Sequence, residues 1–292
     1  MLGGMQRDVE GEPASGPARR GTAGLLARLL LGVAALAVSV WVAATRWEVL
    51  GSGHPAYLVL VVLVGLAGIV LLGTLRRARV RADGRGGGGG CVLRSSTATT
   101  ITLWPAWPSG AGLVFQPGAR VDPRAYVGVL TPVAAAGHLV VIVKQPLGIA
   151  FLASGASRSI IAEYPQVRAW AVGGHSLGGV VAAQDAAAAP GRVRGLVLWA
   201  AYPVSSLAGR TDLAVTSVSG AADALATPQD IAAHRADLPP DTRYAVIDGA
   251  VHAYFGDYGE QPGDGIPTTD RAGAQHQIAR ATIDLLDRLA RP

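Results

Sequence analysis

Trp170-Ala-Val-Gly-Gly-His-Ser-Leu-Gly-Gly-Val-Val-Ala-Ala183 decides how this chain folds. It begins as an apolar run, turns on glycines and continues as an alanine-rich stretch. At the turn, Gly174-His175-Ser176-Leu177-Gly178 matches G-x-S-x-G. The pattern has a mechanical reason where a strand turns sharply into a helix. The serine sits at a strained corner with its hydroxyl pushed out beyond the sheet edge. Glycines flank it because a side chain there would collide with the neighbouring strand or helix. The N–H of the next residue, Leu177, lies at a helix N-terminus and can hold a developing oxyanion. In a chain with 39 glycines among 292 residues, five residues alone are weak evidence. The context supplies the rest. A β-branched and aromatic run precedes the turn, and helix formers from Val180 to Ala189 follow it, closed by Pro190-Gly191.

Outward from this turn, apolar runs alternate with helical stretches. Candidate strands are 99–103, 112–115, 139–143, 169–173, 193–200, 213–219 and 242–247. Several are continuous Val/Leu/Ile runs, as expected of strands buried on both faces. Candidate helices are 123–136, 177–189, 228–236 and 271–290. In the last, Ile278, Ile283, Leu285, Leu286 and Leu289 recur at helical spacing. The alternation predicts an α/β domain over 97–292, with a mostly parallel sheet and right-handed crossovers.

A serine nucleophile needs a base, and the base needs an orienting acid. On a domain of this kind they follow in the order Ser, Asp or Glu, His, on loops after later strands. Asp223 stands just past the strand at 213–219, before a Thr227-Pro228 helix start. His252 stands just past the strand at 242–247. Ser176, Asp223 and His252 are therefore the candidate catalytic residues. As a bland alternative, Asp223 is a turn aspartate and His252 a loop histidine. Asp212 precedes its strand, and Asp248 shares the histidine's own loop. His138 precedes a strand, His234 and His276 fall within helices, and His175 packs beside the nucleophile. The second oxyanion donor is expected from the loop after 112–115. There Gly118 or Ala119 supplies the backbone N–H, and Pro117 has none. Between 200 and 213 there is no room for a lid, so the site should be open. The segment from Ala253 to Thr269 is either a wall of the site or a loop packed on the surface.

The N-terminal third reads differently. Half of the whole chain is hydrophobic, and 15% is charged. Residues 1–22 are polar and aperiodic. The apolar runs at 23–45 and 56–75 are each long enough to cross a bilayer, and residues 76–96 are basic and glycine-rich. The expectation is a two-helix transmembrane hairpin, a linker and a tethered domain. Arginines before the first run and after the second place both ends, and the domain, on the cytoplasmic side. A cleaved signal peptide at the first run is the rival reading. The formal net charge of +5 follows that topology rather than a nucleic-acid surface, for no basic stripe with interleaved aromatics occurs. The one cysteine, Cys91, excludes an internal disulfide. The wealth of arginine, alanine and glycine fits a bacterial genome rich in G and C.

Five stretches carry a family likeness. They are Phe115-Gln-Pro-Gly-Ala-Arg-Val-Asp-Pro-Arg-Ala-Tyr126, Gly173-Gly-His-Ser-Leu-Gly-Gly179, Leu198-Trp-Ala-Ala-Tyr-Pro203, Gly220-Ala-Ala-Asp-Ala-Leu-Ala-Thr-Pro228 and Val251-His-Ala-Tyr-Phe-Gly-Asp-Tyr-Gly259. Through them, residues 99–290 resemble the alpha/beta-hydrolase superfamily, in its compact branch near dienelactone hydrolases and small carboxylesterases (alpha/beta-hydrolase family 5). The resemblance implies Ser176, Asp223 and His252 as triad. Dienelactone hydrolases use cysteine at the nucleophile position, where this chain has serine. The expected activity is a membrane-tethered serine hydrolase that cleaves a small-molecule or lipid ester, with no cofactor and no metal. The alternative is a catalytically silent binding or scaffold protein of the same fold. Oligomeric state is not legible in the sequence.

Overall fold

The Val- and Leu-rich runs become strands because both their faces are covered. In the computed structural model, residues 92–291 are described. Their strands are β1 (Leu93–Ser96), β2 (Thr100–Trp104), β3 (Ala111–Gln116), β4 (Leu139–Val143), β5 (Ala169–His175), β6 (Val193–Trp199), β7 (Ala214–Gly220) and β8 (Arg243–Ile247). They form one sheet in the order β1-β2-β4-β3-β5-β6-β7-β8. From β4 to β8 the neighbours are parallel; β2 runs antiparallel to β4, and β1 antiparallel to β2.

Five α-helices accompany the sheet among the described residues: α1 (Val127–Ala135), α2 (Ala156–Glu163), α3 (Leu177–Ala188), α4 (Pro228–Ala233) and α5 (Arg271–Ala290). Side chains alternate across each strand. Leu113, Phe115, Val197 and Trp199 join Leu130 of α1 and Leu285 and Leu286 of α5 on one face. Val114, Leu196 and Leu198 join Ile160 of α2 and Ala182 and Ala186 of α3 on the other. The order is thus helix layer, sheet, helix layer, with an apolar core on each side.

Several elements depart from the sequence expectation. β1 falls within residues read as linker. All four of its residues are exposed, so an edge strand of this kind leaves no hydrophobic alternation to read. The stretch 123–136 is not one helix: a 3-10 turn at Pro123–Tyr126 leads into α1. Helix α2 is short, and its three buried residues include Ser157, so its periodicity is faint. The expected start of α4 holds: Thr227 caps it, in a reciprocal capping box with Asp230, and Pro228 follows. The polar start at 1–22, the apolar runs at 23–45 and 56–75, and residues 76–91 lie outside the described residues. Among the described residues, no helix is long and apolar enough to cross a membrane.

Strand register brings the candidate residues to one edge. His175 is level with Trp199, Trp199 with Val218, and Gly220 with Ile247. The carboxyl ends of β5, β7 and β8 therefore open on the same side of the sheet. That is where ligands meet an open parallel sheet.

Candidate active site

Ser176 sits at the corner between β5 and α3 with φ 53° and ψ −124°. A non-glycine residue adopts this conformation only where its surroundings hold it. They do. Its N–H donates to Trp199 O at 2.9 Å, and its carbonyl accepts from the Gly179 and Val180 N–H groups. The flanking glycines are needed for the stated mechanical reason. A Cβ on Gly174 would lie 2.4 Å from Gly178 C, and one on Gly178 would lie 2.1 Å from Gln116 O. Both obstacles are backbone.

Asp223 and His252 come together as the sequence order suggested. The His252 Nδ1–H donates to Asp223 Oδ2 at 2.8 Å, with both side chains nearly inaccessible to solvent. The bland reading of Asp223 also holds, on its other oxygen. Oδ1 accepts from the Leu225 and Ala226 N–H groups at 2.8 and 2.9 Å. One carboxylate thus closes its own turn and orients the imidazole. The His252 ring lies with its centroid 4.5 Å from that of His175, the residue before Ser176. The rivals are elsewhere. Asp212 pairs with Arg210, Asp248 is exposed, and His234 stacks on Tyr202 at 4.1 Å.

The loop after β3 corrects one expectation. Gly118 is not a free donor: its N–H is committed to Tyr126 Oη at 2.9 Å. Arg120 N–H is likewise committed, to Gly148 O at 2.7 Å. That leaves the Ala119 N–H, which has no acceptor among the described residues. Leu177, as the first residue of α3, has no acceptor within its own helix. Gln145 braces the loop from behind, donating from Nε2 to Gln116 Oε1 at 3.0 Å and to Pro117 O at 2.9 Å.

The segment after His252 is chiefly a support. Asp264 accepts from the His252 and Gly265 N–H groups on Oδ1 and from the Ala253 N–H on Oδ2. Arg271 of α5 donates to the carbonyls of Ala253 and Gly256, each at 2.6 Å. Tyr258 Oη donates to His252 O at 3.1 Å. Sequence reasoning missed Asp264, Tyr258 and Gln145. Each acts from irregular chain, where no periodicity or motif spacing marks a residue.

A family model described as the alpha/beta hydrolase family matches residues 112–276. The chain belongs to the alpha/beta hydrolase family. The match spans β3 through the start of α5, and so includes Ser176, Asp223 and His252. No curated protein matches. Among solved structures, this hydrolase-family chain is similar to a CIB-like hydrolase from Thermoplasma acidophilum, at 16% identity and TM-score 0.50, with 69% of this chain and 100% of that one covered. It is also similar to the esterase domain of a Rhodothermus marinus protein, at 13% identity and TM-score 0.50, with 70% and 100% covered. At such identities the likeness is one of fold.

Among the described residues, no cluster of histidine, cysteine and carboxylate side chains is arranged to hold a metal ion. The chemistry available to the candidate site is that of a serine, an imidazole, a carboxylate and backbone N–H groups.

Proposed function

We propose that this protein is a serine hydrolase that cleaves esters of small molecules or lipids. The observation that carries the reading is the buried Asp223–His252 pair standing at the sheet edge where the strained Ser176 corner also opens. Ser176 Oγ attacks the ester carbonyl carbon while His252 Nε2 takes its proton. Asp223 holds the imidazole with its proton on Nδ1 and stabilises the imidazolium that forms. The Leu177 and Ala119 N–H groups bind the oxyanion of the tetrahedral intermediate. The intermediate collapses, the alcohol leaves with the proton from His252, and an acyl ester remains on Ser176. Water then attacks that ester, giving its proton to His252, and the carboxylic acid departs as Ser176 recovers its proton.

The apolar runs at 23–45 and 56–75, read from the sequence, make this a hydrolase tethered at the cytoplasmic face of a membrane. An alkaline phosphatase fusion after residue 90 should be inactive; an active one would contradict that orientation.

The test of the reaction is labelling with a fluorophosphonate probe, followed by peptide mapping. Label on Ser176, absent from Ser176→Ala and weakened in His252→Ala, is expected. A folded wild-type protein that takes no label would leave the fold with a binding or scaffold role instead.

A further inference from the structure

Tyr126 is buried completely and closes the loop that begins at Phe115, yet the mechanism above gives it no part. Its hydroxyl touches two of the three segments that make the site. It accepts the Gly118 N–H at 2.9 Å, and it lies 2.9 Å from His175 Nδ1. Its ring is the floor of the third: a Cβ on Gly256, four residues after His252, would lie 3.2 Å from Tyr126 Cε1. The Asp257 N–H also donates to the carbonyl of its neighbour, Ala125, at 2.8 Å.

One proton arrangement pairs the Gly118 N–H, the Tyr126 hydroxyl and His175 Nδ1. The Tyr126 oxygen accepts from Gly118, so its own O–H donates to His175 Nδ1. Burial raises the phenol well above its ordinary range, so the O–H stays in place. His175 is buried too and held neutral, chiefly by its burial, with His252 adding to the effect. Its proton therefore sits on Nε2, which is buried and has no hydrogen-bond partner among the described residues. The His175 ring is clamped between Tyr126 and Phe255, lying nearly parallel to the latter at 5.6 Å. A Cβ on Gly118 would lie 2.8 Å from His175 Nδ1, so the loop and the elbow approach too closely for any larger residue.

We infer that Tyr126 is a positioning residue that joins the two halves of the oxyanion hole. Its hydroxyl fixes Gly118, which sets the neighbouring Ala119 N–H, and grips His175, which precedes Ser176 and the Leu177 N–H. The inference rests on the serine-hydrolase reading. It goes beyond that reading by assigning the distance between the two donors to one buried hydroxyl and one neutral histidine. Neither side chain touches substrate.

The experiment compares full-length wild type, Tyr126→Phe, His175→Gln and the double variant on a p-nitrophenyl ester, below their melting temperatures. An oxyanion hole that loosens loses transition-state stabilisation, so each single variant should lower kcat by about tenfold or more with KM within about twofold. The double variant should fall little further than the worse single one, because both remove the same link. Inhibition by an aryl boronic acid, whose adduct carries the tetrahedral oxygen, should weaken in parallel with kcat. A merely structural hydroxyl would lower the melting temperature and leave kcat and the boronate affinity alone. That result in folded Tyr126→Phe would overturn the inference, as would losses that multiply fully in the double variant. Fluorophosphonate labelling separates the two claims. Unlabelled wild type rejects the serine-hydrolase reading itself. Wild type and Tyr126→Phe labelled at one rate rejects only the role of Tyr126.

Discussion

His252 and Asp223 are joined by a 2.8 Å hydrogen bond from Nδ1–H to Oδ2, inside the protein and at the end of two adjacent strands. Asp223→Asn keeps an oxygen for the Leu225 and Ala226 N–H groups, so the turn should survive. It puts an amide where the imidazole needs an acceptor, and the proton moves to the wrong nitrogen. Activity on an ester should fall by about 10³- to 10⁴-fold, with the far-ultraviolet circular dichroism spectrum unchanged. A loss below about tenfold would remove Asp223 from the triad.

Asp264 holds the backbone at that imidazole by accepting from the His252 and Ala253 N–H groups, and it accepts a third bond from the Gly265 N–H beside it. Asp264→Ala should cost about 2 kcal/mol in urea denaturation, since bonds to a charged acceptor are worth roughly twice neutral ones. It should also lower kcat by about tenfold or more, because His252 is then free to shift from its productive position. Stability and kcat measured on the same preparation check both.

The elbow glycines are steric requirements. Gly178→Ala would set its Cβ 2.1 Å from a backbone oxygen, whereas a Cβ on Gly209 meets nothing within 4 Å. Gly178→Ala should destabilise by about 2–3 kcal/mol or prevent folding, and Gly209→Ala should stay within about 0.5 kcal/mol. Denaturant midpoints of the two variants against wild type decide it.

A second trio of the same residue types occurs at the opposite edge of the sheet. Ser109 Oγ lies 2.8 Å from His138 Nδ1, and His138 Nε2 lies 3.1 Å from Asp287 Oδ1. Ser109 lacks the strained corner: it precedes β3, and its Oγ also accepts the Ala111 N–H at 3.2 Å. The trio ties the approach to β3, the start of β4 and the end of α5 together. Ser109→Ala should therefore leave ester hydrolysis and fluorophosphonate labelling unchanged, while His138→Ala should lose about 2–3 kcal/mol of stability.

Acid should weaken the fold. Burial holds His138 below the ordinary histidine value, against the opposing pull of Asp287; it holds His175 well below that value, with His252 adding to the effect. In the unfolded chain such imidazoles take up protons as the pH falls through about 6.5. In the folded protein they remain neutral there, so the unfolded state binds more protons and stability drops with pH. The contribution is complete above about pH 6.5 and shrinks below it. Urea midpoints at pH 7.5 and 5.5 should show the decline, and His138→Gln should show a shallower one.

Much of this site can be read along the chain because its residues obey local rules. Ser176 announces itself through Gly174 and Gly178, whose hydrogens are the only side chains the corner admits. Asp223 and His252 follow strand ends, and parallel strands bring their carboxyl ends to one edge whatever the loops do. The loop after β3, the candidate source of the second oxyanion donor, is harder. Gly118 and Ala119 are equivalent on sequence grounds, and the choice between them turns on a tyrosine eight residues away whose hydroxyl engages one N–H.

What the sequence determined by itself is therefore the α/β architecture, the elbow and the order of the three candidate catalytic side chains. All of these depend on periodicity, turn chemistry and chain order. Tertiary structure alone decided which N–H groups are free, which oxygens of Asp223 and Asp264 hold which partners, and that Tyr126 links loop to elbow. It also decided that Ser109, His138 and Asp287 meet at the far edge. The pairs Asp223 with His252, Tyr126 with His175, and His138 with Ser109 and Asp287 are made by side chains that the fold brings within about 3 Å across long stretches of sequence, and hydrogen bonding at that range depends on distance and direction rather than on any local pattern.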